Sequence, residues 1–211
     1  RPFVAILGGA KVSDKIPVIE RLLTKVDTLI IGGGMAFTFF KAQGKEIGDS
    51  LLDADRIAFA GDLLKRAGEK LALPSDCVVT DKLDFGSRTV GTVKTVPSDQ
   101  IPADWEGVDI GPETIQRFSE IIRSARTVVW NGPMGVFEIA ETAKGTFAIA
   151  EALAEATKQG ATTIIGGGDS ASAIKQAGME QQVSHVSTGG GASLEFLEGK
   201  ALPGVEALTE R

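Results

Sequence analysis

Thr162-Thr163-Ile164-Ile165-Gly166-Gly167-Gly168-Asp169-Ser170-Ala171 joins three signals in one short stretch. A β-branched apolar run ends in three glycines, and a carboxylate and a hydroxyl then open a predicted helix over Ala171–Gln176. Glycines let backbone N–H groups approach a ligand with no Cβ between them. The first turn of a helix adds unpaired donors and the positive end of the dipole, which suits a phosphate. Asp169 contributes a hard oxygen that Mg²⁺ can use beside phosphate oxygens. One such junction is ordinary in a parallel α/β protein. Its weight here comes from repetition.

Working outward, the same grammar recurs. Phe3–Leu7 is an apolar run closed by Gly8-Gly9-Ala10-Lys11, and a helical pattern then aligns Ile16, Ile19, Leu22, Leu23 and Val26. Thr28–Ile31 runs into Gly32-Gly33-Gly34, and Thr127–Trp130 into Asn131-Gly132-Pro133-Met134-Gly135. His185-Val186-Ser187 runs into Thr188-Gly189-Gly190-Gly191 and a helix over Ala192–Glu198, which Pro203-Gly204 is expected to end. Helical spacing covers Leu52–Leu71, Cys77–Thr80 reads as a third strand, Pro112 opens a helix, and an Ala-rich helix fills Thr142–Gln159. The Thr- and Val-rich stretch Asp81–Trp105 predicts a short antiparallel excursion or a long surface loop.

Near-continuous apolar strands alternating with helices predict a Rossmann-like, doubly wound α/β fold. Its mainly parallel six-stranded sheet carries helices on both faces. Right-handed crossovers then bring every glycine-rich strand end to one rim, the edge where open α/β sheets bind ligands. No linker divides the chain, so one domain over residues 1–211 is expected. Because the chain starts without Met and almost directly in a strand, it is expected to be part of something longer.

Composition narrows the classes of function. Twenty-two basic against 28 acidic residues leave −6, which argues against a broad nucleic-acid footprint. A small anion held by a few local lysines remains compatible. The single cysteine, Cys77, sits in an apolar run and reads as a buried thiol. No run reaches the length of a membrane span.

Three phosphate-loop readings compete. The Walker A spacing is absent, since Gly8 is followed by Gly9-Ala10-Lys11-Val12-Ser13. The dinucleotide pattern is met once, by Gly166 to Ala171. It lacks an acid some twenty residues on for the ribose, and Asp169 would repel a pyrophosphate that brought no metal. A Rossmann-type dinucleotide-binding domain of an oxidoreductase therefore stands as the alternative. The third reading is a polyphosphate site. Lys11 and Lys15, four apart, share a face if a helix starts near Val12. Asn131 and Glu138 flank the apolar Gly132–Phe137, a wall suited to adenine with a carboxylate suited to ribose hydroxyls.

Five motifs in order then match a known family: Gly8-Gly9-Ala10-Lys11-Val12-Ser13-Asp14-Lys15, Ile31-Gly32-Gly33-Gly34-Met35-Ala36-Phe37, Trp130 to Glu138, Ile164 to Ser170, and Ser184 to Ser193. The chain resembles phosphoglycerate kinase from first residue to last, but only its C-terminal, nucleotide-binding half. The resemblance implies Mg²⁺ with ATP or ADP as substrate, and as partner an N-terminal domain of the same enzyme carrying 3-phosphoglycerate. It implies a cytoplasmic monomer with no nucleic-acid or membrane partner.

Lys11 then stabilises the transferring phosphoryl group, with Gly189, Gly190 and Gly191 at a helix start. Lys15 holds the nucleotide phosphates, and Gly9 and Ala10 bind nucleotide. Gly33, Gly34, Gly107, Val108 and Val136 wall the adenine slot, Asn131, Pro133 and Gly135 contact nucleotide, and Glu138 takes the ribose. Gly167, Gly168 and Ser170 face phosphate, and Asp169 organises Mg²⁺. Ser170 stands where many members have Thr. His185 reads as a structural strand residue. No nucleophile is required of this half, because the acceptor's carboxylate attacks the γ-phosphoryl.

Overall fold

The computed structural model describes residues 1–208 apart from Thr188 and Gly190, and the backbone alone of Leu194. Phe3–Leu7 forms β1, and α1 (Ile16–Leu23) leads to β2 (Thr28–Ile31). Next come α2 (Met35–Ala42), α3 (Ile57–Ala67) and a two-residue strand, β3 (Leu71–Ala72). An insertion of β4 (Asp76–Thr80), β5 (Leu83–Asp84), β6 (Thr89–Val90), β7 (Val93–Pro97) and β8 (Glu106–Ile110) follows. The chain continues through α4 (Pro112–Ser124), β9 (Thr127–Asn131), α5 (Lys144–Lys158), β10 (Thr162–Gly166) and α6 (Gly168–Gln176). It closes with β11 (His185–Val186), α7 (Gly191–Glu198) and α8 (Pro203–Glu206).

Among the described residues, six strands pair in parallel in the order β11-β10-β9-β1-β2-β3. In the order of these strands along the chain that is 3-2-1-4-5-6 read from the other edge, with the reversal between β1 and β9. The two-residue period of β1 divides the core. Val4 and Ile6 join Val128, Trp130 and Ile165 beneath α4, α5 and α6. Ala5 and Leu7 join Leu29 and Ile31 beneath α1, α2 and α3. Each face is thus an independent apolar layer, and a slip of one residue would exchange the two sets.

Several expectations need correction. Cys77–Thr80 is the centre of a separate antiparallel sheet, β7-β4-β8, and the parallel sheet ends instead at Leu71–Ala72. No helix intervenes from β4 through β8, and links of that kind join antiparallel neighbours where parallel ones need a crossover. Two residues of strand directly after a helical run carry no period of their own, so Leu71 read as helix. Asp81–Trp105 is the antiparallel excursion. α6 starts at Gly168, not Ala171, with Gly167 at φ +94° before it. The helix over Gly191–Glu198 stops at Gly199, φ +84°, and Pro203 opens α8 rather than ending α7. Lys11 and Lys15 share no α-helical face, because Ser13–Lys15 is a single tight turn and α1 begins at Ile16.

Candidate functional site

A cleft of about 270 Å³ opens at the β1/β9 reversal. Three loops build its floor, and backbone bonds stitch them together. Gly8 N donates to the Asn131 carbonyl at 3.0 Å, Gly9 N to that of Pro133 at 3.0 Å, and Gly33 N to that of Met134 at 3.1 Å. A Cβ at Gly8 would fall 2.6 Å from the Gly132 carbonyl oxygen, and one at Gly33, φ +66°, 2.6 Å from Gly9 N. These glycines are required by the approach of loop to loop, before any ligand enters.

The loop after β9 is anchored from below. Trp130 Nε1 donates to the Gly132 carbonyl at 2.7 Å, Thr146 Oγ1 accepts from Met134 N at 3.0 Å, and Ser170 Oγ accepts from Gly132 N at 2.6 Å. Ser170 is fully buried, so the hydroxyl expected at a phosphate is turned into this loop. Asn131, also buried, accepts from the Lys15 ammonium through its Oδ1, and its carbonyl lies 3.5 Å from Lys15 Nζ. Burial pulls the Lys15 pKa from 10.5 down to about 8, against the opposing charges of Asp14 and Asp169.

Gly9, Ala10, Gly33, Gly34, Gly107, Val108, Pro133, Gly135, Val136, Glu138 and Asp169, far apart along the chain, all line this cleft. Lys11 is exposed one residue beyond Ala10, and Gly167 and Gly168 lead into the first turn of α6 beside Asp169. A Cβ at Gly167 would meet the Asn131 amide at 2.9 Å, whereas Gly168 has open space around it. Gly189 and Gly191 lie at the start of α7, both exposed and outside the cleft lining, and Gly190 falls outside the described residues.

Phe37, Phe85 and Asp109 are among the wall residues that sequence reasoning missed. The Phe37 ring lies against Gly107, and Phe85 lines the mouth. Asp109, 4% exposed, accepts from Gly145 N at 2.6 Å and Ile110 N at 2.8 Å, tying β8 to the first turn of α5. Burial pushes its carboxyl up to about 7, although those two N–H groups and Lys144 pull it down. An acid inside the apolar Val108-Asp109-Ile110 was the available signal, since a carboxylate there must be satisfied internally.

No group of three or more His, Cys, Asp and Glu side chains is placed to hold a metal among the described residues. One exposed carboxylate, Asp169, beside open helix N–H groups fits an ion that keeps its waters and arrives with phosphates. No helix among these residues is long and apolar enough to cross a membrane.

Residues 1–200 match the phosphoglycerate kinase family. The chain belongs to that family. It is 60% identical to the phosphoglycerate kinase of Chloroherpeton thalassium over 99% of its own length and 52% of that relative's. It is 56% identical to the chloroplastic phosphoglycerate kinase of Volvox carteri, covering 46% of it. The solved phosphoglycerate kinase of Coxiella burnetii superposes with a TM-score of 0.91 at 44% identity, over 98% of this chain and 52% of that one. The chain thus spans about half the length of the phosphoglycerate kinases it matches, which implies a second domain in the full enzyme.

Proposed function

We propose that this chain is the nucleotide-binding half of a phosphoglycerate kinase, a single unit that holds Mg-ADP or Mg-ATP in the cleft at the β1/β9 reversal. The whole enzyme would move a phosphoryl group reversibly between 1,3-bisphosphoglycerate and ADP. The observation carrying this is the convergence in one cleft of the β1, β2 and β9 glycine loops, the apolar Val136 wall and Asp169 at the start of α6.

In this reading the base lies between Gly33, Gly107 and Val136, the ribose reaches Glu138, and the phosphates meet Lys15 and the N–H groups of Gly168 and Asp169. Lys11, exposed at the rim, neutralises charge on the transferring group, and the N-terminus of α7 would approach it when the two halves close. Mg²⁺, when bound, supplies charge neutralisation between the phosphate oxygens. Asp169 would hold it from the protein side. The chain alone would bind nucleotide without turnover, because the other half carries the acceptor. A cytoplasmic monomer belongs to the same proposal.

Calorimetry tests it. Mg-ADP should bind with one site per chain and NADH should not, the latter being the fitting control because dinucleotide-binding domains share this strand order. Binding of NADH in place of Mg-ADP would transfer the cleft to the oxidoreductase reading. Formation of 1,3-bisphosphoglycerate by this chain alone would contradict the division of labour. In a full-length enzyme, Lys11→Ala should cut kcat by orders of magnitude and spare ADP affinity.

A further inference from the structure

The ribbon β5–β6 stands apart from both larger sheets, pairing only Leu83 with Val90 and Asp84 with Thr89. So short a hairpin needs local help, and it has it. Asp84 Oδ1 accepts from Gly86 N at 2.8 Å and Ser87 N at 3.2 Å, and these donors hold its carboxyl below the ordinary range. Ser87 and Thr89 hydroxyls meet at 2.8 Å, and Arg88 takes φ +55° to close the turn. At the base, Asp81 Oδ1 accepts from Thr92 N at 2.7 Å, and Gly91 N donates to the Lys82 carbonyl at 2.8 Å. The ribbon is therefore a defined support, and what it presents is Phe85.

Phe85 is 64% exposed, yet it and Leu83 line the cleft. Of the six exposed large apolar side chains among the described residues, two, Phe85 and Leu51, stand on this cleft. An apolar ring held in water at a pocket mouth gains by being covered with something flat and apolar. Having neither charge nor donor, it contributes nothing to phosphates.

We propose that Phe85 contacts the base, its ring closing over the flat heteroaromatic end of the bound nucleotide and favouring ligands that carry such a base over bare polyphosphate. This rests on the nucleotide reading of the cleft. The occupant follows from what lines the same cleft: the glycine loops and Asp169, given above to the phosphates and their metal, are continuous with the apolar wall.

The test is calorimetry on the whole chain with Mg-ADP and, separately, Mg-pyrophosphate. Phe85→Ala should weaken Mg-ADP about tenfold, a typical loss for one base–aromatic stack, and leave Mg-pyrophosphate unchanged. Phe85→Trp should restore ADP affinity, and the emission of the added indole should respond to Mg-ADP. Unchanged ADP affinity in Phe85→Ala, equal loss for both ligands, or a silent indole in Phe85→Trp while heat reports binding would each overturn the contact. A wild-type chain that takes pyrophosphate but no nucleotide would remove the base contact and leave a phosphate cradle. One that takes neither removes the nucleotide reading as well. Because residue 85 is largely solvent-facing, these variants leave the core untouched.

Discussion

The ring of Phe37 lies so close to the backbone of Gly107 that a Cβ at position 107 would overlap it. Phe37 is 5% exposed and packs edge-to-face on Phe40, with centroids 5.8 Å apart, so it has no free space to swing into. Gly107→Ala should therefore destabilise the chain by about 1–3 kcal/mol, the usual cost of overpacking. Nucleotide affinity should fall with it, since both residues line the cleft. Denaturant unfolding and calorimetry on the same variant check this. Wild-type stability would show that the ring yields freely.

Gly167 and Gly168 should part company. Gly167→Ala meets the Asn131 amide and a φ of +94°, so it should lose stability. Gly168→Ala has open space at the first position of α6, and should gain up to about 1 kcal/mol by restricting the unfolded chain. The same methyl group crowds the helix N–H groups proposed for phosphate, so nucleotide affinity should drop as stability rises. A stability gain with unchanged affinity would remove Gly168 from the phosphate site.

Lys15 should make nucleotide binding sensitive to alkali. Its ammonium is lost in the folded chain as pH rises through about 8, so affinity for Mg-ADP should decline above that point. Lys15→Arg should flatten the decline, because guanidinium keeps its charge. Stability moves the other way. Between about pH 8 and 10.5 the unfolded chain keeps a proton that the folded chain has released, so this group's contribution to stability rises across that window. Titrations at about pH 7 and about pH 9 decide the binding part.

Asp109 should leave the opposite mark. Its carboxyl is raised from 3.8 to about 7, so the folded chain holds a proton that the unfolded chain gives up. The stabilisation is full below about pH 4 and is lost as pH rises through about 7. Asp109→Asn removes that titration. The stability gap between wild type and variant should therefore shift against the wild type across the window, by at most about 4 kcal/mol. Parallel unfolding curves at the two ends would refute it.

Asp169→Ala should weaken ADP binding chiefly when Mg²⁺ is present. Equal loss with and without metal, read by calorimetry in EDTA and in magnesium, would place the carboxylate on the nucleotide itself.

Much was legible in order along the chain. The runs Phe3–Leu7, Thr28–Ile31, Thr127–Trp130 and Thr162–Ile165 are long and apolar enough to announce buried parallel strands, and the glycines after them mark the rim. Hydrophobic patterning and backbone freedom are local properties, so sequence alone determined the fold class and the rim that the glycine-rich strand ends share. Only tertiary structure decided how they meet. That Gly8, Gly33 and Gly132 serve loop-to-loop contact, and that Ser170 turns away to hold Gly132 N, depends on partners far along the chain. The same holds for Cys77–Thr80 leaving the parallel sheet and Asp109 lying buried beneath the cleft wall. Strand pairing, desolvation and close approach are set by what stands opposite a residue, and a linear pattern does not say what that is.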